Sequence, residues 1–129
     1  MLLRKSVTSK KISRRILIYS ACIDEEYPEV LEKFKGRTKL SICLEEHHIN
    51  KVAKKLMAII YKREVKSIVV LTMDGSPHCL QLHHTLEEIK NYFDIEVEHY
   101  VIEKGELIKV SEKSVKISRH LSEVEKLIS

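Results

Sequence analysis

The chain of 129 residues has no tryptophan, no Cys-x-x-Cys pair, no close His-x-x-x-His pair and no glycine-rich phosphate loop. Each absence narrows the chemistry. Without Gly-x-Gly-x-x-Gly or a P-loop lysine motif, dinucleotide and nucleoside triphosphate binding have no support. Without Cys-x5-Arg, the phosphate loop of tyrosine phosphatases is out of reach. Without paired ligands at short spacing, any metal site has to be assembled from separate loops.

No run of about twenty apolar residues is present to span a bilayer, and no charged-then-apolar-then-small pattern marks a secretory signal. A cytoplasmic protein with no membrane partner is therefore expected. Three cysteines, an odd number without an export signal, point to free thiols or ligands rather than to a disulfide framework. Charged residues make up 33% of the chain, rich in Lys and Glu, a usage compatible with a thermophilic source.

The formal net charge of +4 is unevenly placed. Residues 1–15 carry Arg4, Lys5, Lys10, Lys11, Arg14 and Arg15 with no acidic residue, and the remaining 17 basic residues face 19 acidic ones. The body is thus not basic, and contact with nucleic acid is expected only through this arm. A solvated, frayed terminus is the plainer reading of it. Residues 16–129, without repeats or linkers and in a chain that is 43% apolar, form a single domain with a conventional core.

The central stretch runs from Ser67 to His84. Ile68, Val69, Val70 and Leu71 form a continuous apolar run, the pattern of a strand buried on both faces of a parallel sheet. Asp74-Gly75 makes a turn, Ser76 supplies an N-cap hydroxyl, and Pro77 fits a first helical position that needs no amide hydrogen. Strand, turn and helix follow one another.

Before this unit, Ile16 to Ala21 reads as a first strand, with a two-turn helix starting at Pro28 and ending at Gly36. Lys39 to Leu44 alternates as a second strand with Cys43 inside it. Ile49, Val52, Ala53, Leu56 and Ile60 then mark an amphipathic helix. After the central unit, Leu82, Leu86, Ile89 and Phe93 form a buried stripe, and Ile95 to Glu103 reads as a fourth strand. Lys104-Gly105 turns it into a hairpin strand, Glu106 to Val110. Ser111 or Ser114 caps a last helix with Ile117, Leu121, Val124 and Ile128 on its core side.

Successive strand–helix units imply parallel strands joined by right-handed crossovers. The expected fold is α/β and three-layered, with a mainly parallel sheet of order 2-1-3-4 plus a C-terminal hairpin strand, a doubly wound arrangement of the Rossmann or flavodoxin type. In such sheets ligands bind beyond the carboxyl ends of the strands where the order reverses, here between strands one and three.

All three cysteines and five of the seven histidines fall at or just after three of those strand ends. Cys79 and His78 sit in a helical first turn, where free amides and the dipole favour a thiolate or an anion. His83 follows Cys79 by four residues on nearly the same face, whereas structural roles are expected for His99 and His120. Three readings follow. In the first, Cys22, Cys79 and His83, with Cys43 or His47, hold a zinc or iron centre or another redox metal. In the second, Cys79 is the nucleophile or redox thiol of an enzyme, His78 or His83 is its base, Asp74 orients a histidine, and Gly75 and Ser76 contribute the ligand cradle with Cys22 beside it. In the third, the same cleft is non-catalytic and binds a small anionic ligand, or the chain serves as an oligomerisation module. The implied partners are a small anionic or redox ligand together with a second copy of the chain or a partner redox protein.

The layout from Cys22 to His84, with cysteines at successive strand ends and a Cys and a His opening the third helix, resembles the delta subunits of methanogen-type hydrogenases, which carry an iron–sulfur cluster. The chain lacks a fourth cysteine and that family's glycine-rich cysteine segment, so the resemblance transfers neither a cluster nor an electron-transfer role.

Overall fold

The computed structural model describes residues 1–2, 6 and 9–129. Its five strands are β1 (Arg15–Ser20), β2 (Thr38–Ile42), β3 (Ser67–Met73), β4 (Glu96–Glu103) and β5 (Glu106–Val110). They form one sheet of order β2-β1-β3-β4-β5. The first four are parallel and β5 is antiparallel to β4, so the expected doubly wound order is present.

Burial explains why the sheet is central. Along β1, Ile16 and Ile18 join one apolar cluster while Leu17 and Tyr19 join another, and β3 divides Ile68 and Val70 from Val69 and Leu71 in the same way. Strands that are apolar on both faces need cover on both sides. On one face α3 (Ile49–Arg63) and α4 (Pro77–Ile89) supply Val52, Leu56, Ile59, Leu82 and Leu86. On the other, the short helices α1 (Ile23–Glu26) and α2 (Pro28–Leu31), with the 3₁₀ turn Glu32–Phe34, supply Ile23, Val30, Leu31 and Phe34. Each fully buried aliphatic side chain contributes roughly 2 kcal/mol of transfer free energy.

Several boundaries differ from the sequence reading. β2 ends at Ile42, so Cys43 lies in the loop after the strand rather than inside it. The β1–β2 connection begins one helix earlier than expected, at Ile23, and the chain breaks helical geometry at Tyr27 (φ −141°, ψ 54°) before Pro28 restarts it. The last helix is two pieces, α5 (Glu112–Ile117) and α6 (Leu121–Ile128), and the expected core side is corrected: Val115 is the buried residue, whereas Leu121, Leu127 and Ile128 are exposed. Helix stops at Ser118 to His120, and no residue of α6 after that break is buried. Ser111, not Ser114, is the N-cap, its hydroxyl accepting from the Ser114 amide at 3.1 Å.

The packed domain reaches N-terminal of β1. Leu2 and Ile12 are buried in the cluster under α3 and α4, and the Ser13 amide donates to the Thr38 hydroxyl at 2.9 Å. Arg4 and Lys5 of the basic arm lie outside the described residues. No helix among the described residues is long and apolar enough to cross a membrane.

Candidate functional site

The β1–β3 pairing, with Tyr19 opposite Leu71, places the loop after β1 beside the start of α4. Gly75, at φ +92°, makes the turn that an L side chain rarely adopts. Ser76 then caps α4 by accepting from the Cys79 amide at 3.4 Å, and Pro77 occupies the first turn. The consequence is a fixed position for Cys79: its Sγ lies 3.2 Å from Ser20 Oγ at the end of β1.

That contact forms one wall of a cavity of about 190 Å³ lined by all three cysteines, Cys22, Cys43 and Cys79, with Ser20, Ser76 and His78. Glu45 and the apolar side chains of Ile42, Met73 and Leu82 complete much of the lining, and among the described residues no lysine or arginine takes part. Cys22 is exposed, while Cys43 and Cys79 are half-buried. Partial burial, reinforced by Cys79 and by the carboxylate of Glu26, pushes the Cys22 thiol up from its ordinary pKa. Cys22 is therefore held as a thiol rather than activated.

His83 does not join the thiols. It is 3% exposed, its Nε2 lies 2.8 Å from Thr72 Oγ1, and its Nδ1 lies 2.8 Å from Nδ1 of His99. The structure does not bring together the expected metal set of Cys22, Cys79, His83, Cys43 and His47. Both ring nitrogens of His83 are engaged, and His47 lines a different depression with Lys51, Lys54 and Lys55, its Nε2 3.8 Å from Glu46 Oε2. Among the described residues no group of three His, Cys, Asp or Glu is placed to hold a metal ion.

The remaining candidates divide between two cavities. Asp74 and Gly75 line a second hollow of about 340 Å³ on the β4 side of α4, with Thr72, Leu80, His83 and Val101. Asp74 is anchored there by its amide, which donates to the Ile102 carbonyl at 3.0 Å. Ser76 lines both cavities. His48 caps α3 through its Nδ1, which accepts from the Asn50 amide at 3.1 Å. His84 meets Ser118 Oγ at 2.8 Å, and burial together with Arg119 lowers its pKa.

One residue escaped the sequence reading, Glu87, and it is the partner of His99, for which a structural role was expected. His99 Nε2 lies 2.7 Å from Glu87 Oε2, and both side chains are buried. The available signal was the i,i+4 pair His83 and Glu87 set inside the apolar stripe of α4, next to Leu82 and Leu86. Two polar residues within a buried stripe require a polar partner from the facing strand. Burial first, then the neighbouring His99, lowers the His83 pKa to about 3.

A family model for Rossmann-like domains matches residues 11–128. No curated protein and no solved structure matches the chain.

Proposed function

The chain belongs to the Rossmann-like domain family, whose sheets bind ligands at the switch point between strands, and we propose that this protein binds a small molecule in the three-cysteine cavity between β1 and β3, with Cys79 as the contacting thiol. The observation that carries the reading is the Ser20–Cys79 contact of 3.2 Å, which joins the β1 loop and the first turn of α4 into one thiol-lined hollow. A cavity of about 190 Å³ suits a ligand of a few heavy atoms. Among the described residues the lining carries Glu45 and His78 but no lysine or arginine, and its three thiols favour a small soft or electrophilic ligand.

A dinucleotide does not fit. The turn after β1 is Ser20-Ala21-Cys22, without the glycines that let backbone approach a pyrophosphate, and α1 is four residues long. A zinc or iron centre has weak support, because His83 is committed to Thr72 and His99. A thiol-dependent enzyme is the second reading, favoured by the Ser20 hydroxyl that can donate to the Cys79 sulfur.

The test is alkylation of the folded protein with iodoacetamide, read by peptide mass mapping over time. The reading expects Cys79 to be modified in the folded state, and exposed Cys22 to react more slowly than its accessibility suggests because its thiol is held protonated. Reaction at Cys22 and Cys43 with Cys79 protected until unfolding would make Cys79 a packed side chain and remove the ligand site.

A further inference from the structure

Thr72, His83, His99 and Glu87 form an unbroken chain of contacts of 2.8, 2.8 and 2.7 Å. All four side chains are buried, at 1%, 3%, 1% and 8% exposure respectively. The two ends open on different surfaces. Thr72 and His83 line the 340 Å³ cavity at the β3–α4 turn, while Glu87 lines a groove between α4 and α5 with Lys90, Lys116 and Arg119. Buried polar chains of this kind carry a cost unless every member is satisfied. The core of this small domain nevertheless retains four polar residues in series.

With an ionised Glu87 and a neutral His99, proton counting allows one direction. An ionised Glu87 can only accept, so His99 Nε2 must donate to it. With His99 neutral, its Nδ1 is a lone pair and accepts from His83 Nδ1–H. His83 Nε2 is then bare and accepts from the Thr72 hydroxyl. Every bond points from the cavity toward the carboxylate, which is the resting arrangement of a hydroxyl activated by an oriented imidazole.

We propose that these four residues are a proton relay that makes the β3–α4 cavity a general-base site for a small hydroxyl-bearing ligand. The proton lost by the ligand hydroxyl passes to Thr72 Oγ1 as the Thr72 proton moves to His83 Nε2. The His83 Nδ1 proton moves to His99 Nδ1, and the His99 Nε2 proton moves to Glu87. The ligand oxygen gains alkoxide character and Glu87 the proton, with no change in total charge; when the ligand oxygen is reprotonated the proton returns along the same four groups, which restores both histidine tautomers and the Glu87 carboxylate. The site is separate from the thiol cavity and does not depend on Cys79.

The test is long-range proton–nitrogen NMR of the histidine rings in the full, nitrogen-15-labelled chain at neutral pH, with trifluoroethanol as the hydroxyl probe. The relay expects one proton on His83, at Nδ1, with Nε2 bare, and expects millimolar trifluoroethanol to shift the His83 Nε2 resonance. In Thr72→Val, His83 keeps its Nδ1 proton and its Nε2 resonance moves on losing the hydroxyl. Should that variant fail to fold, the wild-type tautomer and the trifluoroethanol shift decide. A wild-type His83 carrying its proton on Nε2 means that His99 and Glu87 form a static ion pair, and this overturns the relay. So does a Thr72→Val spectrum with Nε2 unmoved. A probe that leaves Nε2 unshifted removes the ligand site.

Discussion

The Nδ1 atoms of His83 and His99 meet at 2.8 Å, and because His83 Nε2 is held by Thr72, no ring nitrogen of His83 is left for a ligand in the thiol cavity. The i,i+4 relation between Cys79 and His83 puts them on one helical face. The contacts on that face then assign them to different neighbours: Ser20 of β1 for Cys79, His99 of β4 for His83. One helix therefore serves two hollows, the thiol cavity and the β3–α4 cavity.

Removing one member of the buried chain should cost more than removing two. His99→Leu leaves the Glu87 carboxylate and a His83 nitrogen buried without partners, an expected loss of about 3 kcal/mol of stability. His99→Leu combined with Glu87→Leu removes the stranded carboxylate and is expected to recover more than half of that loss. Urea denaturation at pH 7 of the two single variants and the double variant gives the coupling; strictly additive losses would contradict the contact chain.

Stability should fall on acidification, beginning near pH 6.5. Burial and His99 lower the His83 pKa from 6.5 to about 3. Between those values the unfolded chain binds a proton that the folded chain does not, so stability rises with pH through this window and is flat above it. The slope attributable to His83 is at most about 1.4 kcal/mol per pH unit. His84 is shifted in the same direction. Urea midpoints measured from pH 4 to pH 8 check the sign, and replacing His83 with Gln should flatten the profile.

The Ser20 hydroxyl is the one polar side-chain partner of Cys79 Sγ among the described residues. Ser20→Ala removes a donor worth about 1 kcal/mol to a developing thiolate. Iodoacetamide should then modify Cys79 roughly fivefold more slowly, with little change in Cys22 or Cys43. An unchanged Cys79 rate would mean that the thiol donates to Ser20 rather than the reverse.

The turn before α4 sets the register of both cavities. A methyl group added at Gly75 would project into open space, but the backbone there has a φ of +92°, so Gly75→Ala is disfavoured by backbone conformation alone, by about 1 kcal/mol. Ser76→Ala removes the cap on the Cys79 amide at a similar cost. Thermal denaturation should place both variants a few degrees below wild type.

Local signals carried the sequence reading a long way. The double-faced apolar runs at Ile16 to Ile18 and Ile68 to Leu71 required a covered parallel sheet, and the Gly75-Ser76-Pro77 order required a turn, a cap and a helix start. These features depend on residues close in sequence. The grouping of Cys22, Cys43 and Cys79 was also legible, because three strand ends at one sheet edge must converge. The last helix was misread because periodicity records an apolar face without recording what covers it: Leu121, Leu127 and Ile128 keep the pattern and remain exposed.

The sequence by itself determined the sheet order, the strand–turn–helix unit at Asp74 to Pro77, and the edge at which chemistry gathers, since each follows from periodicity, capping and the handedness of crossovers. Tertiary structure alone decided the partner of each polar side chain. His83 and Glu87 lie on α4 and His99 on β4, and they meet because β3 and β4 pair with Val70 opposite His99. A register of that kind is fixed by burial summed over the whole sheet, and a shift of one residue would turn His99 to the other face.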